Sequence, residues 1–318
     1  MSGATTTDLK LANIEQAARV IDPVFRNSPQ FVDEQLCAVL GRRTIVKVET
    51  ANPIRSFKGR GADFLMRGLD PKLKVVCASA GNFGQAVAYA GRTRGMAVEV
   101  FVPTDVNPNK LARMKSLGAS VSVVGADCEA AKQHARRRAA EDRRCVFVED
   151  GEDPSISEGA GTIGIELLRA GSIDTIVLPV GDGALITGVA TWVKEHSRQT
   201  KIIGVCATGS PAMVQSWRAG KPIPTEGSNT IADGIAVNAP IARSVERMRA
   251  LVDDMVLVDD AQLLDAMRLA ASTLGLVLEP AGAAGLAAIR AHSLPGDMLA
   301  TVLTGSNIHP QLLSQLFS

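Results

Sequence analysis

The sequence predicts an α/β fold of two lobes, each a parallel-rich twisted sheet flanked by helices. Three observations carry this. From residue 74 to residue 148, strand-like and helix-like stretches alternate with a repeat of roughly 24 residues, the length of a βαβ unit with its right-handed crossover. A second alternating series runs from residue 173 to residue 303, and the acidic, turn-rich run Glu149-Asp150-Gly151-Glu152-Asp153-Pro154 separates the two. Aromatic residues make up only 3 % of a chain that is 46 % hydrophobic. The interior must therefore be built from Ala, Val, Leu and Ile, as in parallel sheets covered on both faces. The expected division is a small α/β domain over residues 69–150 and a large domain formed by residues 1–68 and 151–318.

Taken in order, residues 9–21 carry Leu11, Ile14, Ala17, Ala18 and Ile21 at helical spacing, and Pro23 ends the run. Residues 44–49 read as a strand that leads into Asn52-Pro53-Ile54-Arg55-Ser56-Phe57-Lys58-Gly59-Arg60-Gly61, after which residues 62–67 are helix-competent. Residues 74–78 are a strand, and 82–94 a helix with Phe83, Ala86, Val87 and Ala90 on one face. After a strand at 98–102, Asn107-Pro108 caps a helix that Gly118 stops. Strands at 121–124 and 145–148 flank a helix that begins at Asp127. In the second series, strands are expected at 173–180, 201–206, 256–258 and 299–303, and helices at 184–196, 211–218, 261–274 and 280–292.

Composition excludes several classes of function. The net charge of +1 argues against an electrostatic nucleic-acid binder. Arg136-Arg137-Arg138 stands beside Glu141 and Asp142 and reads as a solvated helix face. Five scattered cysteines without CxxC spacing point to free thiols in a reducing cytoplasm, with neither a disulfide framework nor a zinc site. The first eight residues show no secretory signal, and no apolar run reaches the roughly 18 residues of a membrane span. The four histidines have no ligand spacing, and no metal is expected.

Chemistry is expected where strands end, because open α/β sheets bind ligands at the carboxyl ends of their strands. Lys58 stands at such a loop-to-helix junction; on this stretch alone, a solvated helix-start lysine is the simpler reading and a Schiff-base lysine the sharper one. Ser79-Ala80-Gly81-Asn82 joins a strand to a helix start whose N–H groups could bind a carboxylate. Gly181-Asp182-Gly183-Ala184-Leu185 does the same with small residues that let a phosphate approach the backbone. A carboxylate repels a phosphate dianion, so Asp182 is expected to point away. The third strand end, Thr304-Gly305-Ser306-Asn307, presents a hydroxyl, and alone it reads equally as turn chemistry.

These pieces occur in one order with Gly159-Ala160-Gly161-Thr162, Thr230-Ile231-Ala232-Asp233-Gly234 and Glu279-Pro280-Ala281-Gly282. The ordered set, over roughly residues 25–310, resembles the fold-type II pyridoxal-phosphate enzymes (the tryptophan synthase β family), and within it the threonine/serine dehydratases. The resemblance implies pyridoxal 5′-phosphate (PLP) at the interface of the lobes, Lys58 forming the internal aldimine, and Asn82 bonding the cofactor's 3′-oxygen. It implies phosphate binding by Gly181, Asp182, Gly183, Ala184 and Leu185, and Thr304 at the pyridine nitrogen with Glu279 near the ring. Ser79, Ala80, Gly81 and Asn82 would hold the substrate carboxylate. The implied reaction is dehydration and deamination of a hydroxy amino acid such as L-threonine or L-serine to a 2-oxo acid and ammonia, in a homodimer. Replacement chemistry of the cysteine or threonine synthase kind, or elimination from hydroxyaspartate, is the alternative.

The chain departs from the family pattern in informative places. Ala80 stands where racemases of the family usually carry a second serine, so little racemisation is expected. Gly204-Val205 is followed by Cys206 instead of the carboxylate of the racemase cation site. Phe83 replaces a usual His, Asp182 a usual Gly and Thr304 the commoner Ser.

Overall fold

The computed structural model describes residues 7–316; residues 1–6, within the run that shows no secretory signal, and residues 317 and 318 lie outside the described residues. The first half of the chain forms α1 (Leu11–Val20), β1 (Gln30–Val32), α2 (Glu34–Leu40), β2 (Arg43–Val48), α3 (Lys58–Arg67), β3 (Lys74–Ala78), α4 (Asn82–Arg94), β4 (Val98–Val102), α5 (Pro108–Ser116), β5 (Ser120–Val123), α6 (Cys128–Glu141), β6 (Cys145–Phe147) and α7 (Pro154–Leu168). The second half forms β7 (Thr175–Pro179), α8 (Ala184–His196), β8 (Lys201–Ala207), α9 (Ala212–Ala219), α10 (Ala242–Leu251), β9 (Asp254–Val258), α11 (Asp260–Leu269), α12 (Pro280–Ala291), β10 (Met298–Leu303) and α13 (Pro310–Leu316).

The strands sort into two sheets. One has the order β5-β4-β3-β6, with every pair parallel. The other has the order β1-β2-β10-β7-β8-β9, and only its edge pair β1–β2 is antiparallel. The six-stranded sheet is covered on both faces, which is why its strands read as continuous apolar runs. Leu36 of α2, Leu263 of α11 and Leu286 of α12 pack on one face; Ile163 of α7, Val189 of α8 and Met248 of α10 pack on the other. α3 sends Ala62, Leu65 and Met66 into the core beneath the four-stranded sheet, alongside Phe83 and Val87 of α4.

The sequence pattern does not show β1, α2, α7, α10 or α13. α7 is the instructive case. Its glycines weaken helix propensity, yet they are what packing requires. A Cβ on Gly159 would lie 2.6 Å from the Arg60 carbonyl oxygen, and one on Gly61 2.4 Å from that of Ile156. On the other side, a Cβ on Gly188 of α8 would lie 1.9 Å from the Ser157 oxygen. α7 thus crosses α3 and α8 at backbone contact, and Asp153 with Pro154 starts it as a capped helix. Elsewhere the expected helix at 261–274 is α11 followed by a π-helical turn over Ala270–Leu274.

A buried ion network locks the same junction. The Arg60 side chain is fully buried and grips Glu49 through Nε and Nη2, both at 2.8 Å, and Glu166 through Nη1 at 2.7 Å and Nη2 at 2.9 Å. Lys47 Nζ meets Glu166 at 2.7 Å, and Thr162 Oγ1 accepts from Arg60 Nη1. Strand β2, helix α3 and helix α7 are therefore tied by charges that have left water together. Burial acts on the Glu166 carboxyl to raise its pKa, but Arg60 and Lys47 outweigh it and hold the group down at about 2. A carboxyl depressed in the fold contributes stability that is full above its unfolded value and is lost as pH falls through its folded value. Removing one partner of a buried pair costs about 3–5 kcal/mol. Glu166→Ala is expected to lower the unfolding free energy by about that amount in urea titrations at neutral pH. The loss should shrink as pH falls from the ordinary 4.5 toward about 2; a pH-independent difference would contradict the network's role.

Candidate active site

The carboxyl ends of β2, β3, β7 and β10 converge on one cavity of about 410 Å³, lined by strand-end loops from both sheets. All twelve residues singled out above line it: Lys58, Ser79, Ala80, Gly81, Asn82, Gly181, Asp182, Gly183, Ala184, Leu185, Glu279 and Thr304.

Lys58 is the first residue of α3. The loop before it is folded around Asn52, whose Nδ2 donates to the carbonyl oxygens of Glu49 at 2.8 Å and Ser56 at 3.1 Å. That loop is also stitched to the end of β10: Phe57 N donates to Thr304 O at 3.1 Å, Ser306 N donates to Arg55 O at 3.0 Å, and Ser56 bridges Gly305. Lys58 Nζ is thereby carried into the cavity, where it donates to Asp150 Oδ2 and stands 4.8 Å from the centre of the Phe57 ring.

Two helix starts face the cavity with their backbone donors open. α2, α5, α6, α7 and α11 are each capped by an Asp or Asn side chain. α4 and α8 begin instead after Gly81 and Gly183, and neither has a side-chain cap. Their first-turn N–H groups need acceptors, and the helix dipole favours anions there. Gly183 adopts φ +90°, and a Cβ there would lie 2.1 Å from Ser244 Oγ, so the tight α8 loop demands glycine.

Between these starts lies a buried polar cluster. Glu279 accepts from Asn82 Nδ2 at 2.5 Å and from Asn307 N at 3.1 Å, while Asn307 Nδ2 donates to Asn82 Oδ1 at 2.8 Å. Burial pushes the Glu279 carboxyl up, against the pull of Lys110 Nζ, 3.6 Å away. Thr304 Oγ1 is buried beside this cluster, 3.4 Å from Ala281 O. A Cβ on Gly305 would meet Glu279 Oε1 at 2.1 Å, so the floor of the cavity is fitted to a residue without a side chain.

Asp182 is half-buried and takes its place in the α8 loop over Gly151. Its carboxyl is pushed up to about 6, first by burial and then by the Asp150 carboxylate, against Lys58 and Lys132. Proton uptake as pH falls through about 6 would reduce the repulsion that this aspartate exerts on an anion held at the start of α8. The repulsion is eased in this way whether or not the side chain turns from the anion.

Sequence reasoning missed several charged lining residues, Asp150 and Lys110 among them. Asp150 was read as part of a crossing, although it sits just past the carboxyl end of β6, where the strand-end rule would have found it. Lys110 lies in the first turn of α5, and its Nζ is 2.6 Å from Asp233 Oδ2; helix-start lysines are usually solvated, and only the tertiary fold buries this one.

Comparison with known proteins agrees with this geometry. The family described as "Pyridoxal-phosphate dependent enzyme" matches residues 23–305. An L-threonine ammonia-lyase of Thermotoga maritima is 33 % identical over 98 % of this chain and 78 % of its own length. A biosynthetic L-threonine dehydratase of Pasteurella multocida is 32 % identical over 85 % of this chain, which spans about half (54 %) of that longer protein. The structure of maize serine racemase superposes with a TM-score of 0.90 at 29 % identity, covering 97 % of each chain.

The open helix starts and the glycine-floored cavity fit this cofactor. Adding PLP to the protein should produce an absorbance band at about 410–420 nm, the signature of a lysine linkage. Lys58→Ala should abolish the band while the cofactor still binds, and a band surviving that substitution would place the linkage elsewhere.

Proposed function

This chain belongs to the family of pyridoxal-phosphate dependent enzymes, and from that premise we propose that it is an ammonia-lyase acting on a β-hydroxy amino acid such as L-threonine or L-serine. The observation that carries the reading is the convergence, on one cavity, of Lys58, two uncapped helix starts and a neutral hydroxyl. The names of the relatives support the same reaction class.

When bound, PLP supplies an aldehyde for capture by an amine and a conjugated ring that withdraws electrons from the substrate's Cα. The backbone donors of Gly181 to Leu185 would hold its phosphate at the start of α8. Ser79, Ala80, Gly81 and Asn82 would orient the substrate carboxylate at the start of α4, and Asn82 would also reach the 3′-oxygen. Thr304 would bond the ring nitrogen through its hydroxyl, with Glu279 nearby. A neutral hydroxyl would stabilise a protonated ring nitrogen less than a carboxylate would, so the ring would withdraw electrons less strongly, which suits prompt loss of a β-substituent. Lys58, released when substrate enters, would remove the Cα proton as general base. Loss of hydroxide and hydrolysis then give a 2-oxo acid and ammonia.

The reading extends to the organisation of the chain. We take residues 1–68 and 151–318 as the large domain and 69–150 as the small one, supported by the separation of the strands into two sheets. A homodimer in the cytoplasm rests on the family resemblance and on five free cysteines. Among the described residues, no helix is long and apolar enough to cross a membrane.

A panel of amino acids scored for 2-oxo acid and ammonia tests the proposal. Turnover of serine or threonine is expected, and no turnover of serine, threonine or hydroxyaspartate would overturn it. Accumulation of a thiol adduct in place of the 2-oxo acid would move the activity to replacement chemistry. Ala80 has no proton to deliver, so inversion of recovered substrate should run at least about tenfold below elimination; comparable rates would show a second proton donor.

A further inference from the structure

The cavity holds a charged residue that none of the roles above uses. Asp150 lies three residues past the end of β6, in the segment leading to α7. It is only 8 % exposed. One carboxylate oxygen, Oδ2, accepts from Lys58 Nζ. The other, Oδ1, is buried without a hydrogen-bond partner, and the residue borders the cavity. A buried carboxylate oxygen without a donor is costly, and such atoms in native structures often mark chemistry.

The surroundings narrow its purpose. Asp182 faces it from the β7–α8 loop, and Lys58 from the start of α3. From α6, Lys132 is committed to Glu149 at 2.9 Å, and Cys128 is exposed. On α10, Arg247 donates to the carbonyl oxygens of Gly151 at 2.9 Å and Glu152 at 3.0 Å and pairs with Asp8, so it anchors the segment without touching the Asp150 carboxylate. Among the described residues, Asp150 is the one carboxylate within ion-pair distance of Lys58 Nζ.

We propose that Asp150 is a catalytic acid–base group that takes the proton from Lys58 Nζ when the lysine captures the cofactor's aldehyde. A lysine amine is a nucleophile only without its extra proton, and a carboxylate already in contact with Nζ is the acceptor at hand. The step balances. One N–H bond of the ammonium breaks and an O–H bond forms on Asp150. Nζ then bonds to the aldehyde carbon. The aldehyde oxygen takes a second proton from Nζ and the stored one from Asp150, and leaves as water. The nitrogen retains one proton, and Asp150 is a carboxylate again.

The role rests on family membership and on PLP, whichever amino acid is eliminated. It is tested by mixing cofactor-free protein with PLP and following the band at about 410–420 nm across pH. Asp150→Asn should slow linkage by about 100-fold near neutral pH and move the rate profile to higher pH, where Lys58 must lose its proton to water. Asp150→Glu should recover about tenfold of that loss and remain about tenfold below wild type. Superimposable profiles for wild type and Asp150→Asn would overturn the proposal. If Asp150→Asn fails to fold by circular dichroism, Asp150→Glu carries the test: its displaced carboxylate should alter the rate at least about threefold, and an unchanged profile would overturn the role. No substrate is present, so failure here leaves the ammonia-lyase reading intact. Normal linkage without elimination would defeat that reading and leave this one standing.

Discussion

Burying the Arg60 guanidinium is the constraint on which the site is built. A charge with no access to water must be fully paired, and Arg60 finds its partners on two other elements, Glu49 at the end of β2 and Glu166 on α7. Burial opposes its charge, but Glu49 and Glu166 outweigh that and keep the guanidinium ionised. Lys58 lies two residues earlier on the same helix. Fixing Arg60 therefore fixes the azimuth of α3, and with it the direction in which Lys58 leaves the backbone. The glycine contacts of α7 with α3 and α8 bring the uncapped start of α8 into the same frame.

The polar side of the cavity follows from a backbone account. Five helices, α2, α5, α6, α7 and α11, satisfy first-turn N–H groups with their own aspartates or asparagines, whereas α4 and α8, which start at the cavity after glycines, have no such cap. Open donors at a helix start, together with the helix dipole, favour an anion there. Two carboxyls in the same space are pushed up, Glu279 and Asp182, each first by burial, with Asp233 adding to the first and Asp150 to the second. A site that moves protons gains from groups whose charge is not fixed.

The βαβ alternation and the strand-end loops were legible because they rest on local signals: apolar periodicity, Asn-Pro and Asp caps, and glycines at strand ends. The separate pieces of the cavity could be read one by one, and only their order in the chain joined them. α7 was hidden because its glycines answer to neighbouring backbones and not to its own helix. Lys110 and Asp150 were hidden because burial of a charge is decided by elements distant in sequence. Asp233 is 123 residues from the Lys110 it pairs with. Asp150 looked like turn chemistry because a surface turn and a cavity wall use the same residue types.

The order of strands has a consequence for how the protein comes into being. β10 lies between β2 and β7, and its last residues hold the Lys58 loop through Phe57 and Ser56. A chain leaving the ribosome makes β2 and the Lys58 loop some 250 residues before β10 arrives to complete the sheet. Until then the six-stranded sheet has a gap at its centre, and the lysine has no fixed position against the cavity. The cavity is therefore complete only after synthesis of almost the whole described chain. The same insertion of a distant strand makes for slow folding, and assembly of the active site is among its last events.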